Sequence, residues 1–237
     1  MCGRSSLTKT EKEIELRFNA TFYSEELERY NPLPNYNIAP THMHPVISMQ
    51  NKDHIQIFRW GLIPFWAKDK SIGSKMINAR VETLGIKSAF KNLLQSKRCL
   101  VPLDGFYEWK TIGKQKIPYR ILTTNMDIFC VAGLWDTWKD PATGEITHSF
   151  TIITVPPNEI MQNIHDRMPA ILLKEHESIW VDESIHFKDM DTILLPYPSD
   201  LIQVYKVSTK VNNVKINDPS LIEPIHDTPQ PFQTTLF

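Results

Sequence analysis

The second residue of the chain is a cysteine, and we assume that the initiator methionine in front of it is removed. Cys2 then carries a free α-amine beside its thiol. The amine of such a 1,2-aminothiol condenses with an aldehyde to an imine, and the thiol then adds to the same carbon and closes a thiazolidine ring. Reference pKa values of about 7.7–8.0 and about 8.5 leave a minority of each group nucleophilic at neutral pH, so neighbours must assist. The alternative is a frayed terminus with an incidental cysteine.

Two other residues have the chemistry of general acids and bases. Glu108 lies among aromatic residues in a strand pattern whose alternation places it on the face of Phe106, opposite Tyr107. A carboxyl group beside apolar surface has a raised pKa, which a general acid near pH 7 requires. His165, in a loop before Pro169, is the residue type suited to proton transfer at neutral pH. The alternatives are an exposed glutamate paired with a lysine and one more surface histidine among the eight in the chain.

A third group of residues could hold a single strand of nucleic acid. Trp66 offers a ring on which a base can stack, and the side chains of Arg4, Arg80 and Arg167 could bind phosphates. Asn78, two residues before Arg80, offers an amide that could orient a reacting group. The alternatives are a buried tryptophan, a turn asparagine and solvated arginines.

The elements that must position these residues are mostly strands. Apolar and β-branched runs predict a hairpin and then a series of strands that form an antiparallel meander curled towards a barrel, while 3.6-residue spacing predicts amphipathic helices. Thr8 or Thr10 is the candidate N-cap of the first helix. The predicted helices are 8–19, 24–30, 88–97, 158–162, 174–180 and 186–194, and the predicted strands are 45–50, 54–60, 98–103, 105–110, 118–123, 127–135, 148–154 and 202–207.

Composition indicates an ordinary globular protein. Of 237 residues, 41% are hydrophobic and 22% are charged, and the net charge of −1 leaves no global basic field, so any nucleic-acid surface must be a local patch. Cys99 and Cys130 lie in apolar runs and are predicted core residues. We expect neither a disulfide framework nor a metal site, no signal peptide or membrane span, and a reducing, cytoplasmic setting. One α+β domain with an antiparallel, partly barrel-like β core flanked by helices is the predicted fold.

Six ordered segments together resemble the SOS response associated peptidase (SRAP) family, whose members process abasic sites in DNA. The resemblance covers residues 1–222, including Val207-Ser208 and Asn212-Asn213-Val214-Lys215, and leaves 223–237 as a tail. The six segments are Met1-Cys2-Gly3-Arg4, Tyr36-Asn37-Ile38-Ala39-Pro40, Trp60-Gly61-Leu62-Ile63-Pro64, Asn78-Ala79-Arg80-Val81-Glu82, Gly105-Phe106-Tyr107-Glu108-Trp109 and His165-Asp166-Arg167-Met168-Pro169.

The resemblance implies a covalent crosslink between Cys2 and the aldehyde of an abasic site in single-stranded DNA. Asn78 would orient the reacting groups, Glu108 would promote sugar ring opening, and His165 would assist imine formation and reversal. The resemblance also implies autoproteolytic removal of Met1, a lyase activity through the imine, no cofactor, and a monomer acting at the nucleoid or an equivalent DNA compartment. The implied DNA-binding residues are Arg4, Asn37, Pro40, Trp66, Arg80 and Arg167.

Two other functions compete with this interpretation. An N-terminal-nucleophile amidohydrolase would also use a Cys2 thiol, with its α-amine as the base. A non-covalent binding module for damaged DNA would need no reactive thiol. The chain also departs from the family pattern, because Phe65 stands before Trp66 where some members have paired tryptophans, which bears on the strength of base stacking.

Overall fold

The computed structural model describes residues 2–30, 33–190 and 192–225. In this part of the chain, short helices flank two β-sheets. The helices are α1 (Glu11–Phe18), α2 (Ser24–Tyr30), α3 (Ser88–Lys91), α4 (Leu93–Ser96) and α5 (Lys174–Trp180). The strands are β1 (Ser5–Leu7), β2 (Thr21–Phe22), β3 (Asn35–Ile38), β4 (Met43–Ser48), β5 (Asn51–Trp60), β6 (Asn78–Arg80), β7 (Arg98–Leu103), β8 (Gly105–Ile112), β9 (Gln115–Thr123), β10 (Phe129–Lys139), β11 (Ile146–Val155), β12 (Met168–Pro169) and β13 (Ile202–Lys206).

The first sheet places the N-terminal strand between two partners. Its order is β13-β9-β8-β1-β3. Ser5 pairs with Phe106 of β8 on one side and with Ile38 of β3 on the other, both antiparallel. Because β1 starts three residues after Cys2, this pairing sets where the chain start lies.

The second sheet closes on itself. Its order is β12-β11-β10-β7-β4-β5-β2, and a parallel pairing of Ser149 in β11 with Arg59 in β5 joins strands from opposite parts of that order. β5, β4, β7, β10 and β11 therefore form a barrel, which confirms the predicted α+β fold with a partly barrel-like β core.

The single predicted meander is wrong in one respect. Its runs are strands, but they divide between the two sheets, because β7 pairs with β10 and β4 while β8 pairs with β9 and β1. Asp104, between β7 and β8, marks the point where the chain passes from one sheet to the other. The predicted hairpin is confirmed as β4 and β5.

The first helix begins as its sequence predicts. Thr10 is the N-cap, and it exchanges hydrogen bonds with Glu13 in a capping box, while Asn19 ends the helix in the left-handed conformation with φ 50°. The predicted helix 88–97 is divided at Asn92 into α3 and α4. Two predicted helices are wrong, because the described residues in and beside 158–162 and 186–194 form only 3₁₀ turns, at Met161–Asn163 and Phe187–Asp189.

The core confirms the burial predicted for two cysteines and for the alternation in β8. Cys99 and Cys130 are fully buried. Phe106 packs into the main core, whereas Tyr107 packs into a smaller cluster on the other face of the sheet. Among the described residues, no helix combines the length and apolar character that a membrane crossing needs. Of the predicted tail 223–237, residues 226–237 lie outside the described part of the chain.

Candidate active site around Cys2

Strand β11 brings two distant segments together at its C-terminal end. On one side β6 runs parallel to it, with Asn78 opposite Ile152. On the other side β12 runs antiparallel, with Met168 opposite Val155. Asn78 and the loop of His165 therefore flank the same end of one strand, although 87 positions separate them in the sequence.

The start of the chain reaches this place along β8. The backbone N–H of Tyr107 donates to the carbonyl oxygen of Arg4 at 2.9 Å and extends the β1–β8 ladder towards Cys2. Cys2 is completely buried, and its carbonyl oxygen accepts a 2.8 Å hydrogen bond from Nδ2 of Asn78. The interpretation as a frayed terminus does not fit a buried residue that is hydrogen-bonded to a distant strand.

Glu108 connects the thiol with the histidine electrostatically. It is 2% exposed, and this burial raises the pKa of its carboxyl group, an effect that a positive charge on His165 partly offsets. Burial also raises the pKa of the Cys2 thiol, and the negative charge of Glu108 raises it further. The structure thus brings Cys2, Asn78, Glu108 and His165 together. Both the Cys2 thiol and the Glu108 carboxyl group therefore favour their protonated forms.

Nδ1 of His165 has two partners. Its Nδ1 accepts a 3.1 Å hydrogen bond from the backbone N–H of Arg167, which requires an unprotonated Nδ1. The same atom lies 2.8 Å from Oδ1 of the exposed Asp166, a contact that favours a protonated Nδ1.

The three arginines of the predicted phosphate-binding set differ in exposure and pairing. Arg80 is exposed at the end of β6. Arg167 is buried and forms a two-pronged ion pair with Glu82, at 2.6 and 3.0 Å, and it also donates to the carbonyl oxygen of Thr154 at 2.5 Å. This pair lowers the pKa of Glu82. Arg80 is therefore better placed than Arg167 to meet a phosphate.

Arg4 and Asn37 are tied to the C-terminal part of the chain. Nη1 of Arg4 donates to Oδ1 of Asn37 at 2.7 Å and to the carbonyl oxygen of Val211. Asn37 is 1% exposed, and its amide donates to the carbonyl oxygens of Asn213 at 3.0 Å and Ile216 at 2.8 Å. An influence of Asn37 on DNA would therefore act through Arg4, whereas Pro40, in the following loop, is partly exposed.

The aromatic loop exposes two rings to solvent, and backbone contacts at its start and middle hold it in place. Phe65 is 65% exposed and Trp66 is 48% exposed. The loop starts at Gly61, whose φ is 111° and where a Cβ would lie 2.5 Å from the carbonyl oxygen of Gly73. The buried Asp136 accepts a hydrogen bond from the N–H of Phe65 at 2.8 Å. The sequence alternative of a buried Trp66 is therefore wrong.

A groove of about 420 Å³ adjoins Trp66, and its lining is basic on balance, with Lys68 and Lys75 against the single carboxylate of Asp69. A larger cleft of about 750 Å³ lies at the other end of β11, beside Arg59 and His148, and the four assembled residues do not line it. Within the described residues, no group of histidine, cysteine and carboxylate side chains is arranged to hold a metal ion.

Sequence reasoning missed the residues that fix the start of the chain. Trp109 donates from Nε1 to Oδ1 of Asn212 at 2.8 Å, and the guanidinium carbon of Arg4 lies 5.9 Å from the centre of the Trp109 ring. Asp104 binds β1, as described below. A carboxylate between two apolar strands was the available signal for Asp104, because charged groups are rarely buried without specific partners.

Comparison with known proteins identifies the family. A family model described as SOS response associated peptidase (SRAP) matches residues 1–214. The chain belongs to the SRAP family. The resemblance of the six sequence segments is therefore confirmed.

Relatives of this SRAP protein include named abasic site processing proteins. It is 44% identical to abasic site processing protein YoqW of Bacillus subtilis over 226 residues, which cover 94% of this chain and 99% of YoqW. It is 32% identical to abasic site processing protein HMCES of Xenopus tropicalis over 267 residues, covering 95% of this chain and 78% of HMCES. A crystal structure of a Bacteroides thetaiotaomicron protein has a TM-score of 0.88 at 30% identity and covers 95% of this chain and 100% of that one.

Proposed function

We propose that this protein processes abasic sites in single-stranded DNA by forming a covalent thiazolidine link through Cys2 after Met1 has been removed. Membership of the SRAP family and relatives named abasic site processing proteins support the substrate class. The observation that carries the chemistry is the buried Cys2, hydrogen-bonded by Asn78 and close enough to Glu108 for that charge to raise the thiol pKa.

The reaction begins with the sugar of the abasic site. Glu108 in its protonated form donates to the ring oxygen, the bond between C1′ and that oxygen breaks, and the C1′ hydroxyl loses its proton to water, which leaves an aldehyde at C1′. The α-amine of Cys2 attacks this carbon, and loss of one water gives the imine, with His165 transferring protons to and from the departing oxygen. Asn78 holds the Cys2 carbonyl and so fixes the direction of attack.

Ring closure uses the second nucleophile. The Cys2 sulfur adds to the imine carbon, the C=N bond becomes a single bond, and the thiol proton passes through the Glu108 carboxylate to the nitrogen. The high thiol pKa means that this proton must be removed as the carbon–sulfur bond forms, which is the task of an adjacent base. The reverse sequence, with addition of water, releases the DNA.

Two further activities belong to the same proposal. Hydrolysis of the bond between Met1 and Cys2 by the protein itself would supply the free amine. The imine makes a proton at C2′ more acidic, so elimination of the 3′ phosphate would cleave the strand and give a lyase activity. A thiazolidine has no C=N bond, so formation of the ring opposes strand cleavage and protects the site.

Two features of the described surface support our proposal that a monomer binds a single strand. Arg80 would hold a phosphate, and Trp66 would stack on a base beside the basic groove. The net charge of −1 confines this attraction to a local patch, which favours selective binding over indiscriminate binding. We therefore propose that the protein acts in the cytoplasm, at the nucleoid or an equivalent DNA compartment.

The test is adduct formation with single-stranded DNA that carries one abasic site. Intact-mass spectrometry first establishes that Met1 is absent. We then expect a heat-stable species on a denaturing gel, with a mass equal to protein plus DNA minus one water. Cys2→Ala should give no such species but should still be trapped by borohydride, because it retains the α-amine. Cys99→Ala serves as the matched control and should react like the wild type.

Three outcomes separate the competing functions. Loss of the stable adduct in Cys2→Ala supports the crosslinker. Glutaminase activity that disappears in Cys2→Ala would instead indicate an amidohydrolase, and unchanged non-covalent binding without any adduct would indicate a damage-binding module. A wild-type protein that lacks Met1 and yields no adduct contradicts the proposal.

A further inference from the structure

A buried carboxylate that the proposed reaction does not use binds the N-terminal strand. Asp104 accepts hydrogen bonds at Oδ1 from the hydroxyl of Ser6, at 2.6 Å, and at Oδ2 from the N–H of Thr8, at 2.6 Å, and from the Thr8 hydroxyl. The guanidinium of Arg120 forms an ion pair with Oδ1 at 3.1 Å. Both carboxylate oxygens therefore accept hydrogen bonds, and their donors lie in β1, in the residue after β1 and in β9.

Arg120 extends this network across the sheet. It also donates to the hydroxyl of Ser6 at 3.2 Å and to that of Tyr205, in β13, at 2.9 Å. The guanidinium passes directly over Gly105, where a Cβ would lie 2.7 Å from Nε. Three strands of the first sheet, β1, β9 and β13, are thus connected through side chains, together with Asp104.

The contacts of Asp104 specify one register of β1. Ser6 and Thr8 are two residues apart and so point to the same side of the extended chain. A slip of one residue would displace the chain by about 3.3 Å and turn both hydroxyls to the opposite side, away from Asp104. In that slipped register, Cys2 would also leave the amide of Asn78 and the carboxylate of Glu108.

Backbone hydrogen bonds alone would stabilise the position of β1 only weakly. β1 has three residues and stands close to the chain start, where ends fray unless they are tied down. Ser6 is fully buried, so its hydroxyl depends on Asp104 and Arg120 rather than on water.

We propose that Asp104 is a positioning residue for the reaction of Cys2, which it serves by fixing the register of β1. This inference rests on the proposed function. It assigns to Asp104 no contact with DNA and no proton transfer. Its effect is on the place and direction of the Cys2 amine and thiol, for which a displacement of about 1 Å can cost about 100-fold in rate.

The primary variant is Asp104→Asn, compared with Glu177→Gln as a matched control. Glu177 is also a buried carboxylate paired with an arginine, Arg17, at 2.7 and 3.0 Å, and it lies next to Cys130 rather than Cys2. We expect both variants to lose thermal stability. At a temperature where both are fully folded, Asp104→Asn should form the adduct at least 10-fold more slowly at saturating abasic DNA, while Glu177→Gln stays within 2-fold of the wild type.

A second readout follows the N-terminus without DNA. A cyanobenzothiazole reagent condenses with the amine and thiol of an N-terminal cysteine and releases ammonia. In the wild type, the docked strand β1 restricts access to Cys2, so its labelling should be slow. Asp104→Asn should be labelled at least 5-fold faster, in the direction opposite to its change in crosslinking rate, and Glu177→Gln should be labelled like the wild type. Every sample is checked by mass for loss of Met1.

A double variant keeps the inference testable if Asp104→Asn does not fold. Ser6→Ala with Thr8→Val removes the two hydroxyls that donate to Asp104 in the native register of β1. It retains the ion pair of Asp104 with Arg120. It should show the same slow crosslinking and fast labelling. Wild-type rates of crosslinking and labelling in the folded variants would overturn the inference, as would an equal slowing in Glu177→Gln. If the wild type itself forms no adduct, the proposed function fails, and the labelling comparison still decides the role of Asp104.

Discussion

The salt dependence of DNA binding should distinguish Arg80 from Arg167. Each phosphate neutralised on a single strand contributes about 0.7 to the slope of log affinity against log salt concentration. Arg80 is exposed, whereas the charge of Arg167 is compensated by Glu82 at 2.6 and 3.0 Å. Arg80→Gln should therefore reduce the steepness of the slope by about 0.7, and Arg167→Gln should leave it unchanged. Between 50 and 200 mM salt, the wild type should lose about 2.5-fold more affinity than Arg80→Gln.

Fluorescence anisotropy with an undamaged single strand measures this slope without interference from the covalent step. Arg80→Lys is the matched control, because it retains the charge and should retain the slope. Arg167→Gln should instead lower the melting temperature, since it removes the ion pair and the hydrogen bond to Thr154. A reduced slope in Arg167→Gln together with an unchanged slope in Arg80→Gln would refute the reasoning.

Three further predictions concern single side chains. Glu108→Gln should slow adduct formation by about 10²–10⁴-fold without weakening binding to undamaged single strands. The wild-type rate should fall as pH rises through the raised pKa of Glu108, because the protonated donor is lost, and rapid-quench kinetics should show no such fall in the variant. Equal losses of rate and binding would make Glu108 structural. Trp66→Ala should weaken binding to an undamaged single strand by about 1–3 kcal/mol for the base it stacks on, measured by anisotropy, whereas truncating the exposed Ile146 should have no effect. Burial lowers the pKa of His44 from 6.5 to about 4, so the folded state favours neutral His44. This preference contributes up to about 3 kcal/mol to the free energy of unfolding above about pH 6.5, and the contribution is lost as the pH falls towards 4. In urea unfolding, the free energy of unfolding of His44→Gln should therefore fall less over this pH range than that of the wild type.

The sequence predicts strands correctly where a run of mostly apolar residues is as long as the strand itself. The predicted run 98–103 coincides with β7, and 105–110 lies within β8. Their distribution between two sheets was not predictable, because the corner at Asp104 has the same local pattern as a hairpin turn. β1 and β6 were missed since each has three residues and owes its pairing to distant strands. In 186–194, apolar residues recur every three positions, a spacing that also fits the 3₁₀ turn observed there.

The candidate site shows a similar division. The chemistry of Cys2 and Glu108 followed from their residue types, and the structure places them together. The meeting of Asn78 and His165 depends on both sides of β11 and had no local signal. The pairing of Arg167 with Glu82 was equally invisible, because an arginine in sequence does not reveal whether its partner is a carboxylate or a phosphate.

The place of β1 in the middle of its sheet has a consequence for the newly made chain. Cys2 is among the first residues to leave the ribosome, but β8, the strand that pairs with β1 and carries Glu108, is made about 100 residues later. At about 5–20 residues per second, that interval lasts about 5–20 s. If Met1 were removed during this time, the amine and thiol of Cys2 would be open to reaction with any free aldehyde. Under the proposed function, retention of Met1 until β8 has docked would protect the amine for that period, so we expect the timing of methionine removal to govern how much of the newly synthesised protein can react.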